Sequence, residues 1–215
     1  YPYFHALESK QDTEVIMEGK RRIMLGSNNY LGLTTNPAVI QAGVDAYKAL
    51  GSGCSGSRFL NGTLKLHLEL EEELAKFLRK DAIVTFSTGF QSNLGIISAI
   101  VGMHDYVIMD RENHASLYDG CRLSYGKMLR YRHNDMSDLE KKLQKVPDSC
   151  GCLIVTDGVF SMGGDIANLP EICTLARKYG ARVMVDDAHG LGVIGEGGRG
   201  TASYYGLEDE VDIYM

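Results

Sequence analysis

Residues Arg182 to Gly190 read Arg-Val-Met-Val-Asp-Asp-Ala-His-Gly. A short apolar run ends in two acids, and a histidine follows three residues after the first. Val183, Met184 and Val185 have the pattern of a buried strand, which puts Asp186 where a sheet meets its carboxyl edge. A charge there is costly unless a cation meets it. With His189 on the turn leaving the strand, the run reads as half of a cofactor site.

Other turns carry groups of the same kind. Ser87-Thr88-Gly89-Phe90 joins an apolar run to a helical pattern, and a helix start offers unpaired N–H groups and a positive dipole end to an anion. Gly89 would let a phosphate approach the backbone closely. The plainer reading is an ordinary strand-to-helix turn with a Ser/Thr cap. His114 opens another helical stretch, where a capping or core histidine is the usual case. Ser161 could be a loop hydroxyl bonded to its own backbone. His133 and Asp135 read as caps of the helix that follows them, with pocket lining as the alternative because strand ends point there.

Glycine and cysteine motifs add little. Gly51–Gly56 and Gly195–Gly200 both spell G-x-G-x-x-G. Neither lies between a strand and a helix, the only setting in which the motif binds a dinucleotide, so an NAD-dependent dehydrogenase is disfavoured. Ser124-Tyr-Gly-Lys127 lacks the companion motifs of serine acyl-enzymes. The five cysteines are odd in number and scattered, which reads as reduced thiols in a cytoplasmic protein. Cys150-Gly-Cys152 lacks further ligands at metal-site spacing.

The elements that must hold these groups alternate along the chain. Candidate strands are 82–86, 106–109, 128–131, 152–156, 182–185 and 211–215. Helical patterns at about 90–101, 115–124, 137–146 and 170–179 fit between them. Two earlier helices are expected, one from Asn36-Pro37 to about Leu50 and one over 65–79. In the second, Leu70, Leu74, Phe77 and Leu78 form the apolar stripe. Apolar strands alternating with amphipathic helices predict an α/β fold, a three-layer, mostly parallel sheet flanked by helices. Such sheets bind ligands beyond the carboxyl ends of their strands, where all these polar turns fall. Residues 1–35 read as an arm and 36–215 as one large domain.

The bulk composition fits that architecture. The chain has 215 residues, 44% hydrophobic and 23% charged, with a net charge of -6. An acidic balance argues against nucleic acid as the partner. No apolar run approaches the ~20 residues of a transmembrane helix, and no secretory leader pattern opens the chain.

In order along the chain come Asn29-Tyr-Leu-Gly32, the segment Gly51 to Thr63, His67-Leu-Glu-Leu-Glu71, Ser87-Thr-Gly-Phe-Gln-Ser-Asn93, Asn113-His-Ala-Ser116, His133-Asn-Asp135, Asp157-Gly-Val-Phe-Ser-Met162 and Val185-Asp-Asp-Ala-His-Gly190. This collinear series resembles the α-oxoamine synthases, fold-type I enzymes that use pyridoxal 5'-phosphate (PLP). Within that family, Gly-Ser-Arg-Phe-Leu-Asn-Gly-Thr and the Asp157 segment are most similar to the bacterial branch that joins serine to palmitoyl-CoA.

The resemblance implies roles. Gly89 and Phe90 would give N–H groups to the PLP phosphate. His114 would stack on the pyridine ring and help orient the substrate. Asp186 would pair with the ring nitrogen, and His189 and Ser161 with the ring's phenolic oxygen. Asn29 would touch the substrate carboxylate. The implied reaction condenses an amino acid, serine first, with a long-chain acyl-CoA and releases CoA and CO2, in a homodimer with the site at the subunit interface. Glycine with acetyl-CoA or succinyl-CoA, and alanine with pimeloyl-CoA as in 8-amino-7-oxononanoate synthase, are the alternatives within the family.

One departure stands out. The family's Schiff-base lysine is expected just after the strand at 211–215, and no lysine of this chain matches it; Lys178, the nearest upstream, lies on a helix. The small C-terminal domain is missing as well. The expectation is therefore a large PLP domain, incomplete at its C-terminus and inactive alone, rather than a lysine-less, non-catalytic partner subunit.

Overall fold

The structure is a computed structural model and describes residues 3–215; Tyr1 and Pro2 of the arm lie outside the described residues. The chain divides into two compact units that meet at Lys65/Leu66.

The first unit holds a hairpin and a helix. Strand β1 (Glu14–Met17) pairs antiparallel with β2 (Lys20–Ile23), Val15 facing Arg22. Glu18 and Gly19 both have positive φ, the backbone that a two-residue hairpin turn needs to match strand twist. Helix α1 (Pro37–Leu50) starts as expected. The Asn36 side chain accepts from the N–H groups of Ala38 and Val39, and Pro37 occupies the first turn, where its missing N–H costs nothing.

The second unit carries α2 (Lys65–Leu78), α3 (Gly89–Ile100), β3 (Tyr106–Asp110), α4 (Ala115–Leu123), β4 (Lys127–Tyr131), α5 (Met136–Leu143), β5 (Cys152–Asp157), α6 (Leu169–Tyr179), β6 (Arg182–Asp186), α7 (Thr201–Tyr205) and β7 (Ile213–Tyr214). The sheet order is β4-β3-β5-β6-β7, and every pair is parallel. Helices cover both faces, so the strands are apolar along their whole length rather than at alternate positions.

Alternate residues of those strands feed two cores. Ile108, Ile154, Val183 and Val185 pack with Leu139 and Leu143 of α5 and with Leu169, Ile172 and Ala176 of α6. Val107, Met109, Leu153, Val155 and Met184 pack on the other face with Ile97 of α3 and with Leu117 and Cys121 of α4. This is the three-layer α/β fold the alternation predicts.

The stretch 82–86 departs from expectation. It forms no regular element and pairs with no strand among the described residues, and Val84 is 71% exposed. A strand exists through its ladder, and the sheet ends at β7. The segment is anchored instead by the Thr85 N–H and hydroxyl, which donate to the Glu71 carboxylate at 2.9 and 2.8 Å. Helix α7 is an addition; five residues are too few to show a 3.6-residue period.

The chain runs from β3 outward to β4 and then returns across β3 to β5. The connections therefore leave the carboxyl ends of β3 and β5 in opposite directions, which opens a crevice between them.

Candidate functional site

Three neighbouring strands end in the same way, each an apolar run closed by aspartate. Asp110 closes β3, Asp157 closes β5 and Asp186 closes β6, and all three are buried. Asp157 and Asp186 face each other in the ladder register. Three buried carboxyl groups at one sheet edge make an acidic floor in which like charges oppose each other's ionisation.

Each acid is held differently. Asp186 Oδ2 accepts from Asn93 Nδ2 at 2.8 Å, and Oδ1 from the Ala188 N–H at 3.1 Å. Both donors are neutral. Asp157 Oδ2 accepts the His114 N–H at 2.8 Å. Burial, and then the Asp186 charge, push its carboxyl up to about 7. Asp110 accepts from the backbone N–H groups of Glu112 and Asn134, at 2.8 and 2.9 Å, and contacts His133 Nδ1 at 3.0 Å.

A cavity of about 470 Å³ opens above this floor. Gly89, Phe90, His114, Ser161, Asp186 and His189, the expected cofactor ligands, all line it. Gly89 and Phe90 are the first residues of α3, whose N-cap Thr88 accepts the Gln91 N–H at 3.1 Å. The first N–H groups of a helix have no acceptor within it, so this end of α3 presents donors and a positive dipole to the cavity. Phe90 and His114 meet edge to face, with centroids 6.4 Å apart. Asn29 belongs to the first unit, where its side chain accepts the Thr34 N–H at 3.3 Å.

The loop after β3 is stitched to β5, and this places His114. Asn113 Nδ2 donates to the Val155 carbonyl at 3.0 Å, and its Oδ1 accepts the Asp157 N–H at 3.1 Å. His114 then caps α4, its Nδ1 taking the Ser116 N–H at 3.3 Å.

His133 does not cap a helix. Asp135 alone caps α5, accepting the Asp138 N–H at 2.9 Å. His133 sits between two acids, with Nδ1 3.0 Å from Asp110 and Nε2 2.7 Å from Asp165, and its ring meets Phe160 edge-on at 4.5 Å. It too lines the cavity. Burial works against its charge, but bonds and charges from Asp110 and Asp165 outweigh that and raise its pKa.

Asp157, Asn93 and Ser116 also belong to the site, although sequence reasoning gave them no role. For Asp157 the signal was present, since β5 ends in the same apolar–Asp pattern as β6. Asn93 and Ser116 carry no such signal: Asn93 lies one turn inside α3, and Ser116 in the first turn of α4 reads as an ordinary helix-start serine.

The second acid of the Asp186-Asp187 pair does other work. Asp187 accepts the Thr201 N–H at 2.7 Å and the Thr201 hydroxyl at 2.5 Å, fastening the start of α7. A Cβ at Gly190 or Gly200 would collide with its carboxylate. The glycine motif at 195–200 thus serves packing around Asp187. In the other motif, a Cβ at Gly56 would strike Asn61.

Fold and site together define an α/β domain built to bind a ligand with an anionic group, over the α3 terminus, and a cationic centre, over the acids. The chain belongs to the aminotransferase class I and II family, whose model matches residues 20–215. It is 57% identical, over its whole length, to a protein from Sphingobacterium spiritivorum named serine palmitoyltransferase, covering 54% of that protein. It is 46% identical, again over its whole length, to the 8-amino-7-oxononanoate synthase of Geobacter sulfurreducens, covering 55% of it. Among solved structures, the Sphingomonas wittichii serine palmitoyltransferase superposes with a TM-score of 0.96 at 44% identity, over 99% of this chain and 54% of that one. A serine palmitoyltransferase from S. paucimobilis with bound PLP–myriocin gives the same values. The chain spans about half the length of the curated relatives it matches.

Proposed function

We propose that the intact protein is a PLP-dependent acyltransferase. It condenses an amino acid, L-serine, with a long-chain acyl-CoA, palmitoyl-CoA, and yields a 2-amino ketone, CoA and CO2. The observation that carries this reading is Asp186, a buried carboxylate bonded among the described residues to neutral donors alone, in the cavity that the α3 N-terminus also enters. A protonated pyridine ring with a phosphate arm matches both ends of that arrangement. The choice of serine and palmitoyl-CoA is supported by relatives 57% identical over the whole chain.

Bound PLP supplies an electron sink for charge developing at the substrate's α-carbon. Asp186 holds the proton on the ring nitrogen that makes the sink strong. The Gly89 and Phe90 N–H groups bind the phosphate. His114 lies against the ring face and orients the amino acid. Ser161 and His189 hydrogen-bond the phenolic oxygen, and Asn29 meets the substrate carboxylate. The lysine that moves the α-proton is expected in the remainder of the intact protein. The five cysteines are free thiols, which suits a reducing cytoplasm. The protein is proposed to act as a homodimer. No helix among the described residues is long and apolar enough to cross a membrane.

The test is an absorbance titration of the intact protein with PLP, followed by L-serine, glycine and L-alanine in turn. The expected result is a visible PLP band that L-serine perturbs at the lowest concentration, and an Asp186→Asn variant with turnover lowered about 10²–10³-fold. A response to glycine or alanine alone would assign a different acyltransfer. The absence of a PLP band would overturn the reading.

A further inference from the structure

Two buried side chains, Asn93 and Ser116, together link the two main site groups, Asp186 and His114. Asn93 is fully buried on α3 and Ser116 is 1% exposed in the first turn of α4. One Asn93 amide nitrogen reaches two acceptors, Asp186 Oδ2 at 2.8 Å and Ser116 Oγ at 2.8 Å. Ser116 Oγ lies 2.7 Å from His114 Nδ1.

Donors and acceptors together favour one arrangement. A side-chain amide has two N–H donors on nitrogen and only acceptors on oxygen. Turning the Asn93 amide over would face its carbonyl oxygen to the Asp186 carboxylate, a repulsive pair. The nitrogen therefore spends one proton on Asp186 and the other on Ser116. Asn93 Oδ1 is buried with no partner among the described residues. An orphaned buried acceptor is costly, so the orientation persists because the two donated bonds outweigh that cost. Besides Asn93, which donates to it, the Ser116 hydroxyl has His114 Nδ1 as its one neighbour able to accept among the described residues, and we assign its proton there. The Ser116 N–H points to the same atom at 3.3 Å. Two donors on Nδ1 make it an acceptor, and the ring proton of a neutral His114 must sit on Nε2.

We infer that Asn93 and Ser116 are positioning residues that fix His114 as its Nε2–H tautomer and tie that choice to the orientation of Asp186. The inference deepens the proposed function, since His114 and Asp186 are the groups assigned to the ring face and the ring nitrogen. The relay holds the ring-nitrogen partner and the stacking imidazole in one rigid frame. Asn93 does not line the cavity, and Ser116 borders it while remaining 1% exposed; the hydroxyl of Ser116 is taken up by Asn93 and His114, so both residues act through their neighbours.

The test reads the tautomer directly and needs no turnover. The intact protein is labelled with ¹⁵N-histidine, and long-range proton–nitrogen correlations are recorded with and without PLP; the His114 signals are assigned by their loss in His114→Gln. The expected wild-type spectrum has a pyridine-like Nδ1 and a pyrrole-like Nε2. Ser116→Ala should yield a mixture of tautomers, and Ser116→Thr, which keeps the hydroxyl, should restore the single form. Asn93→Ala should release the tautomer as well and weaken PLP binding about tenfold, the scale of one hydrogen bond to a charged group. An Nδ1–H tautomer in the wild type overturns the inference without any variant, and so does a Ser116→Ala spectrum identical to wild type. The PLP titration decides the proposed function separately: a protein with the expected tautomer that fails to bind PLP would sink that reading and leave the relay standing.

Discussion

At the scale of single residues, the site is organised by buried acids with unequal surroundings. Asp186 sits between two neutral donors, whereas Asp157 lies beside Asp186, and burial with that charge raises its carboxyl to about 7. A carboxyl whose folded pKa lies above its unfolded value holds its proton longer in the folded state. The unfolded chain then binds fewer protons between about pH 4 and 7, and stability falls as pH rises through that window. Above it the full penalty is present, on the order of a few kcal/mol. Asp157→Asn removes the ionisation but keeps an oxygen to accept the His114 N–H. Its thermal midpoint should match wild type near pH 4 and exceed it at pH 8. A calorimetric difference that stays constant with pH would refute this account. At this scale much of the site was legible. Asp186 and His189 stand out because a strand pattern breaks into polar residues within one turn, and the turn at Gly89-Phe90 stands out in the same way. Asn93 was not legible, because an asparagine inside a helix has no spacing rule that aims its amide at a carboxylate 93 residues away.

Elements decide whether those residues meet. The loop between β5 and α6 carries Ser161 into the cavity, and it is braced at both ends. Phe160 N–H donates to the Asp165 carbonyl at 2.9 Å, and the Gly164 N–H to the Phe160 carbonyl at 2.7 Å. The side-chain brace is His133, which spans from buried Asp110 at the end of β3 to Asp165 on the loop. The raised pKa fixes the direction of its pH dependence. A base with a folded pKa above its unfolded value contributes stability that is complete below the unfolded value, near 6.5, and is lost as pH rises through the folded one. His133→Gln should therefore lower the thermal midpoint most at pH 5–6, and the deficit should shrink as the solution becomes alkaline. The loop should also become more open to limited proteolysis at Met162, which is 98% exposed. A deficit that grows with pH would show that His133 works uncharged. Element patterns were read well where they were long. The strands at 106–109, 128–131, 152–156 and 182–185 all appear, each within one residue at either end. The failures have separate physical causes: 82–86 has strand composition but no ladder partner, the expected strand at 211–215 pairs only at Ile213–Tyr214, and the hairpin at residues 14–23 has strands of four residues each, too short for their alternation to stand out.

On the scale of the whole molecule, parallel topology brings together residues that are distant in sequence, because every β-to-β crossover returns to the same sheet edge. Resemblance could name the ligands, but only the sheet order shows why loops after β3, β5 and β6 share one cavity. The same scale exposes an apolar surface. Helix α1 has fourteen residues and none is buried, although Ile40, Val44 and Tyr47 recur along one face at i, i+4 and i+7. A stripe of that kind on a stable protein marks an interaction surface. The proposed homodimer predicts that the intact protein has twice its chain mass by light scattering at micromolar concentration, and that its thermal midpoint rises with protein concentration, as mass action requires of a folded dimer. The double variant Ile40→Asp, Val44→Asp places two charges on the stripe. If α1 lies in the subunit interface, the variant should shift toward monomer and bind PLP less tightly, because the proposed site sits at that interface. Each substitution also lowers helix propensity slightly, by a few tenths of a kcal/mol, so Ile40→Gln, Val44→Gln serves as a milder comparison with the same expected direction. A wild-type protein that remains monomeric at micromolar concentration while binding PLP and L-serine would end the dimer proposal and leave the chemistry assigned to Asp186 intact.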